Sequence, residues 1–164
     1  MLGISQHIGP WVGTNVAGLV LVLLGFAYPR LTRWLFVTLF AGAGVFNAFT
    51  ALHAPESYVE GFAKLAVPAY RSFIEGPFAQ HATAFVLSIA LGQVLVAAMI
   101  AKGERWLARG AFGAVVFLVA ISPLGVGSAF PATLFMALAM SVAAIQNGSF
   151  FESEPLHGEP VEAD

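Results

Sequence analysis

Residues 38–53, TLFAGAGVFNAFTALH, and residues 82–100, ATAFVLSIALGQVLVAAMI, decide how this chain is read. Neither run contains Asp, Glu, Lys or Arg. The connector between them, twenty-odd residues long, holds five of the sixteen such residues in the chain. A histidine stands at the connector end of each run, His53 leaving the first and His81 entering the second. Two apolar runs joined in this way predict a pair of antiparallel helices in a membrane.

Composition points the same way. The chain has 164 residues, 59% hydrophobic and 10% charged, with a mean hydropathy of +0.83. A soluble domain carries about 25% charged residues. Apolar runs near twenty residues recur, enough to cross a ~30 Å hydrocarbon core at about 1.5 Å per residue. With no cysteine, the chain supplies no disulfide, thiolate metal ligand, iron–sulfur ligand or thiol nucleophile. A net charge of −2 leaves no basic face to neutralise phosphates, which argues against nucleic acid as a partner.

Taken in order, the sequence predicts an all-α, polytopic membrane helical bundle of five transmembrane helices, a single unit over residues 1–148. The spans are expected near residues 11–28, 31–53, 80–101, 106–121 and 132–145. No Lys or Arg precedes the first run and no A-x-A-like site follows it, so that run is expected to be retained rather than cleaved. Trp11, Tyr28, Trp34 and Trp106 suit membrane interfaces. Small residues at 41–44 and along the fifth span suit close helix contact.

The connector, residues 55–77, reads as an interfacial amphipathic segment. Tyr58, Val59, Phe62, Leu65 and Ala66 form an apolar helical stripe. Glu56, Glu60 and Lys64 share another face, with Glu60 spaced to pair with Lys64. Pro55 fits a helix start and Pro68 a helix end. The uncharged link SPLGVGSAFPA, residues 122–132, suits either an interface or a return into the bundle. Residues 149–164 are acidic and rich in proline, with too little apolar surface to offset ordering entropy, and are expected to be a disordered tail.

Arg30, Arg33, Lys102, Arg105 and Arg109 belong to two links on one face, whereas only Lys64 and Arg71 lie on the other. The positive-inside rule then puts the arginine-rich links in the cytoplasm, the N-terminus outside and the C-terminal tail inside.

Four residues make a candidate ligand site: Asn47, His53, His81 and Ser88. Asn47 lies about 9 Å deeper than His53, and Ser88 about 10 Å deeper than His81, by helical rise. Both fall at one depth if the runs are antiparallel neighbours. His81 and Ser88 share a helix face at i, i+7. The plain reading is an interhelical hydrogen bond beneath two interfacial histidines. The sharper one is an outward-opening pocket for a quinone head group, hydrogen-bonded by His53 or His81. Haem ligands generally sit deeper in their spans, and two histidines without facing carboxylates leave a metal's coordination incomplete, so neither is expected. Gln93 sits ~140° around the helix from Ser88 and is expected to bond a different helix, away from that pocket. Pro123, Gly125 and Gly127 suit a turn, or an unwound segment that coordinates a ligand. No Ser–His–Asp spacing, phosphate loop or carboxylate pair within a span is present, so no catalytic residue is assigned.

Residues 31–145 resemble the DoxX-like group of small bacterial four-helix membrane proteins. The likeness rests on a span closing with ALHAPESY, a connector with FAKLAVPAY, a span carrying IALGQVL and a last hairpin through PLGVGSAF. Span one is an addition to that layout. The resemblance implies a bacterial cytoplasmic membrane and a link to quinone- or thiol-based redox systems. A thiol role is excluded for this chain by its lack of cysteine. The resemblance supplies no residue roles.

The function expected is an accessory or quinone-binding component of a membrane redox system, without catalysis of its own. Alternatives are a small-solute transporter or a scaffold subunit, with the lipid bilayer, partner membrane proteins or further copies of the chain as partners.

Overall fold

The computed structural model describes residues 5–148, with side chains from residue 8 onward. Among them there is no strand; the chain is a bundle of helices. The acidic stretch 149–164 read as a disordered tail lies outside the described residues.

α1 runs Ser5–Ala27 and α2 Pro29–His53, with Tyr28 between them. Pro29 occupies the first helical position, where a missing N–H costs nothing and a fixed φ is already suitable. α1 starts six residues before the expected span and carries Pro10 inside it. α5, Ala82–Lys102, and α6, Glu104–Ile121, are separated by Gly103 alone. Gly103 has φ +74, and a Cβ there would meet the Arg33 guanidinium at 2.7 Å, so both backbone and space require glycine.

The last helix, α7, is Ala132–Gln146. Four stretches are long and apolar enough to cross a membrane: Ile8–Ala27, Pro29–His53, Ala82–Lys102 and Glu104–Ser128. α7 is apolar but has 15 residues, about 22 Å at 1.5 Å each, short of a ~30 Å core.

The connector folds into two short helices, α3 (Glu56–Phe62) and α4 (Pro68–Phe73), then one π turn, Ile74–Phe78. Pro68 opens α4 rather than ending the preceding helix. α3 ends at Phe62, and Lys64 lies in the turn that follows it. Arg71 folds back, donating to the Ala63 and Lys64 carbonyls at 2.8 and 3.2 Å. The 3-10 turn Ser122–Ser128 returns onto this connector. Val67 N–H donates to the Pro123 carbonyl at 3.1 Å, and a Cβ on Gly127 would meet the Phe62 ring at 2.9 Å.

In lipid, apolar burial does not drive helices together, so close backbone approach has to. The most extensive contact is between α2 and α5. They are antiparallel: Arg33 donates to the Ile100 and Ala101 carbonyls, while Gly44 lies against Ala90 and Val94. α6 meets α5 at Gly110, against Met99 and Ile100, and at Gly113, against Val96. α1 runs parallel to α7, with Gly18 on the Ala132 carbonyl and Gly25 on that of Ala139. Outward-facing side chains are large and apolar, Phe112 and Val45 being 69% and 68% exposed. That face suits hydrocarbon rather than water.

Two packed clusters lie toward opposite ends. One gathers Phe36, Phe40, Ile100, Leu107, Leu118 and Met140. The other joins the connector (Ala63, Ala66, Ile74, Phe78) to Ala51, Ala82 and Val86.

Candidate functional site

Between the two clusters the bundle does not close. A cavity of about 570 Å³ remains, walled by α2, α5, α6 and α7 and roofed by the connector. Each wall is a helical stripe. α2 supplies Leu39, Ala43 and Asn47, and α5 supplies Phe85, Ile89 and Gln93, both at i, i+4, i+8. α6 adds Phe117 and Ile121, and the roof adds Tyr58, Phe62, Tyr70, Phe73 and Phe78. Aromatic rings dominate one end: Phe85 lies 5.6 Å from Phe73 and 5.7 Å from Phe78, centroid to centroid. Phe73, Phe85 and Ile89 are each more than a third exposed, so the cavity is open on that flank.

Polar groups are few and connected. Tyr58 Oη donates to Asn47 Oδ1 at 2.8 Å. Asn47 Nδ2 donates in turn to Gln93 Oε1, also at 2.8 Å. Gln93 is 5% exposed. Burial pushes the Tyr58 phenol above its ordinary range, against a smaller opposing pull from the Thr50 hydroxyl. Tyr58 is therefore a neutral donor at any physiological pH. On another wall Ser122 and Thr133 pair at 2.9 Å, and Tyr70 Oη donates to the Ala120 carbonyl at 2.9 Å.

Of the four residues named from sequence, the structure brings Asn47 to this cavity and leaves the other three outside. His81 and Ser88 do share a face of α5, but it is the exposed one. The buried positions of α5 are Ala82, Val86, Ala90, Gln93, Val96, Ala97 and Ile100. Ser88 lies midway between Val86 and Ala90 in sequence, so it points away from them. Its hydroxyl bonds its own helix at the Ala84 carbonyl, 2.8 Å away. His53 is exposed, stacked on Phe49 at 4.2 Å, with Nδ1 2.7 Å from the Phe49 carbonyl. His81 borders a separate shallow cleft with Glu56, Val59 and Glu60.

Gln93, expected to bond another helix and to lie off the pocket face, bonds Asn47 of α2 and lines the cavity. Tyr58, read as part of an apolar stripe, is their third member. No family model, curated protein or solved structure matches this chain. Its site is therefore defined by its own geometry. Among the described residues no cluster of three His, Asp or Glu could hold a metal ion. What the site offers is an aromatic, largely apolar chamber with one amide chain in its wall.

Proposed function

We propose that this chain is a five-span integral membrane protein that holds a lipophilic ligand with a quinone-like head group, as an accessory component of a membrane redox system. The observation that carries the reading is the aromatic-lined cavity of about 570 Å³ with the Tyr58–Asn47–Gln93 chain in its wall. Such a volume is within the range of small-molecule sites, which pair apolar walls with a few placed polar groups. The open flank at Phe73, Phe85 and Ile89 fits a ligand that arrives from hydrocarbon. The DoxX-like resemblance of residues 31–145 agrees with a quinone-linked setting.

In this reading α7 crosses together with the turn Ser122–Ser128 and residues up to Pro131, which lengthen its path. The bacterial cytoplasmic membrane is its location, with the end carrying Arg30, Arg33, Lys102, Arg105 and Arg109 on the cytoplasmic side. A solute transporter would need a polar route through the bundle, and the nearly apolar walls speak against one. A scaffold role rests on outward small residues alone and leaves the cavity unexplained.

The test is lipid-extract mass spectrometry and an optical spectrum on protein purified from its native membrane, followed by quinone titration. One retained lipophile per chain, or saturable quinone binding, is the expected result. Protein that comes out empty and fails to bind any quinone would remove the proposal.

A further inference from the structure

Within the amide chain one group is left over. Tyr58 gives its hydroxyl hydrogen to Asn47 Oδ1, and Asn47 gives an amide hydrogen to Gln93 Oε1. Both Gln93 oxygen and Asn47 oxygen are thereby used as acceptors. The Gln93 Nε2 group, with two N–H donors, has no partner among the described residues. Yet Gln93 is 95% buried, since its relative exposure is 5%, and it lines the cavity. Its donors are thus available to a group that enters the cavity the side chain lines.

We infer that Gln93 recognises the head of the bound lipophile, its Nε2 donating to a carbonyl oxygen of a head group that accepts hydrogen bonds but does not donate them. The inference rests on the lipophile-binding reading above and names the ligand class within it. An oxidised quinone, a ketone or an ester satisfies the amide. A quinol, phenol or alcohol can accept through its hydroxyl oxygen, but it must then bury its own O–H without an acceptor and so gains less.

The direction of the chain sets this preference. Were every amide turned over, Gln93 would expose its oxygen and select donor heads instead. Tyr58 and Asn47 act as positioning residues: they hold the Gln93 amide by its oxygen so that its nitrogen faces inward. Ile89 and Phe85, one and two turns from Gln93 along the same α5 stripe, line the path from the open flank. The tail of the ligand would lie along them and leave through the flank.

Three probes with one tail separate the terms: decylbenzoquinone, decylphenol and decylbenzene, titrated into full-length protein in detergent. Wild type is expected to bind the quinone about tenfold more tightly than decylbenzene, the worth of one buried hydrogen bond. The phenol should gain less over decylbenzene than the quinone does. Gln93→Leu should remove the quinone's advantage over decylbenzene. The infrared carbonyl stretch of decylbenzoquinone bound to wild type, which needs no variant to fold, should fall below its value in hydrocarbon solvent. Equal binding of quinone and decylbenzene, or an unshifted carbonyl stretch, overturns the role of Gln93 while the lipophile cavity stands. Preference for the phenol also overturns it, by reversing the amide. If none of the three probes binds wild type, the lipophile reading fails and takes this inference with it.

Discussion

Asn47 on α2 and Gln93 on α5 are joined side chain to side chain at 2.8 Å, across the most extensive helix contact in the bundle. One hydrogen bond thus ties the tightest helix pair to the wall of its cavity. Asn47→Leu and Gln93→Leu are each expected to lower stability by about 1–2 kcal/mol, the cost of leaving a buried amide unmet. The double variant should lose about 0.5–1 kcal/mol less than the sum. Unfolding by dodecyl sulfate titration of the four proteins closes the cycle, and strict additivity would show that the pair is not coupled.

Ligand binding should be indifferent to the histidines. His53 and His81 are exposed and lie outside the cavity wall. His53→Ala and His81→Ala are expected to leave decylbenzoquinone affinity within about twofold of wild type, against about tenfold for Gln93→Leu. A tenfold loss in either histidine variant would move the binding site to the connector end of the bundle.

Tyr58 gives a pH dependence with a definite sign. Burial raises its folded-state pKa above the ordinary phenol value of about 10. Below pH ~10 the phenol is neutral in both states and its contribution is fully present. As pH rises further, the unfolded phenol ionises first, and stability falls until the folded phenol ionises too. Thermal stability followed from pH 9 upward should therefore decline, and Tyr58→Phe should flatten that part of the decline. An identical slope in the variant would assign the decline to other groups.

How far this could be read from the sequence depended on chemistry more than on spacing. Apolar helices long enough to cross a membrane were legible, because α5 runs from Ala82 to Ala101 without a charge. Asn47 was legible as a polar group at depth. Ser88 misled because a helical serine can satisfy itself, here on the Ala84 carbonyl. A primary amide has more polar groups than its own helix satisfies: Asn15 donates to the Trp11 carbonyl of α1 at 2.8 Å, yet its Oδ1 has no partner among the described residues. Asn47 and Gln93 instead meet each other across two helices. Gln93 also follows Ala90 by three residues on the face where Gly44 and Ala90 meet, a second signal of burial. The cavity itself was not legible: it arises where the connector's aromatic rings roof the bundle, and no periodicity encodes that.

Arg33 closes the opposite end. Its guanidinium donates from Nε to the Ile100 carbonyl at 2.9 Å and from a terminal nitrogen to Ala101 at 2.7 Å, two carbonyls in the last turn of α5. Arg33→Ala should destabilise the protein by about 2 kcal/mol. Arg33→Lys should recover only part of that, since an ammonium cannot reproduce the two-pronged contact. Faster hydrogen exchange in the last turn of α5 is the matching local readout. Full rescue by lysine would reduce the contact to simple charge.

The glycines of α1 offer an internal control. Cβ atoms at Gly18 and Gly25 would stand 3.2 and 3.0 Å from carbonyl oxygens of α7, whereas nothing lies within 4 Å of Gly9. Gly25→Leu should cost about 1–3 kcal/mol by overpacking, and Gly9→Leu almost nothing. Equal melting midpoints for both variants would mean that α1 is not seated on α7.

That seat has a consequence for how the molecule is made. α1 touches α2, its neighbour in sequence, far less than it touches α7. The ribosome delivers α1 first and α7 last of these helices. In the five-span reading α1 therefore waits in the bilayer with its glycine face uncovered until α7 arrives. Gly18 and Gly25 are the last seam of the bundle to close.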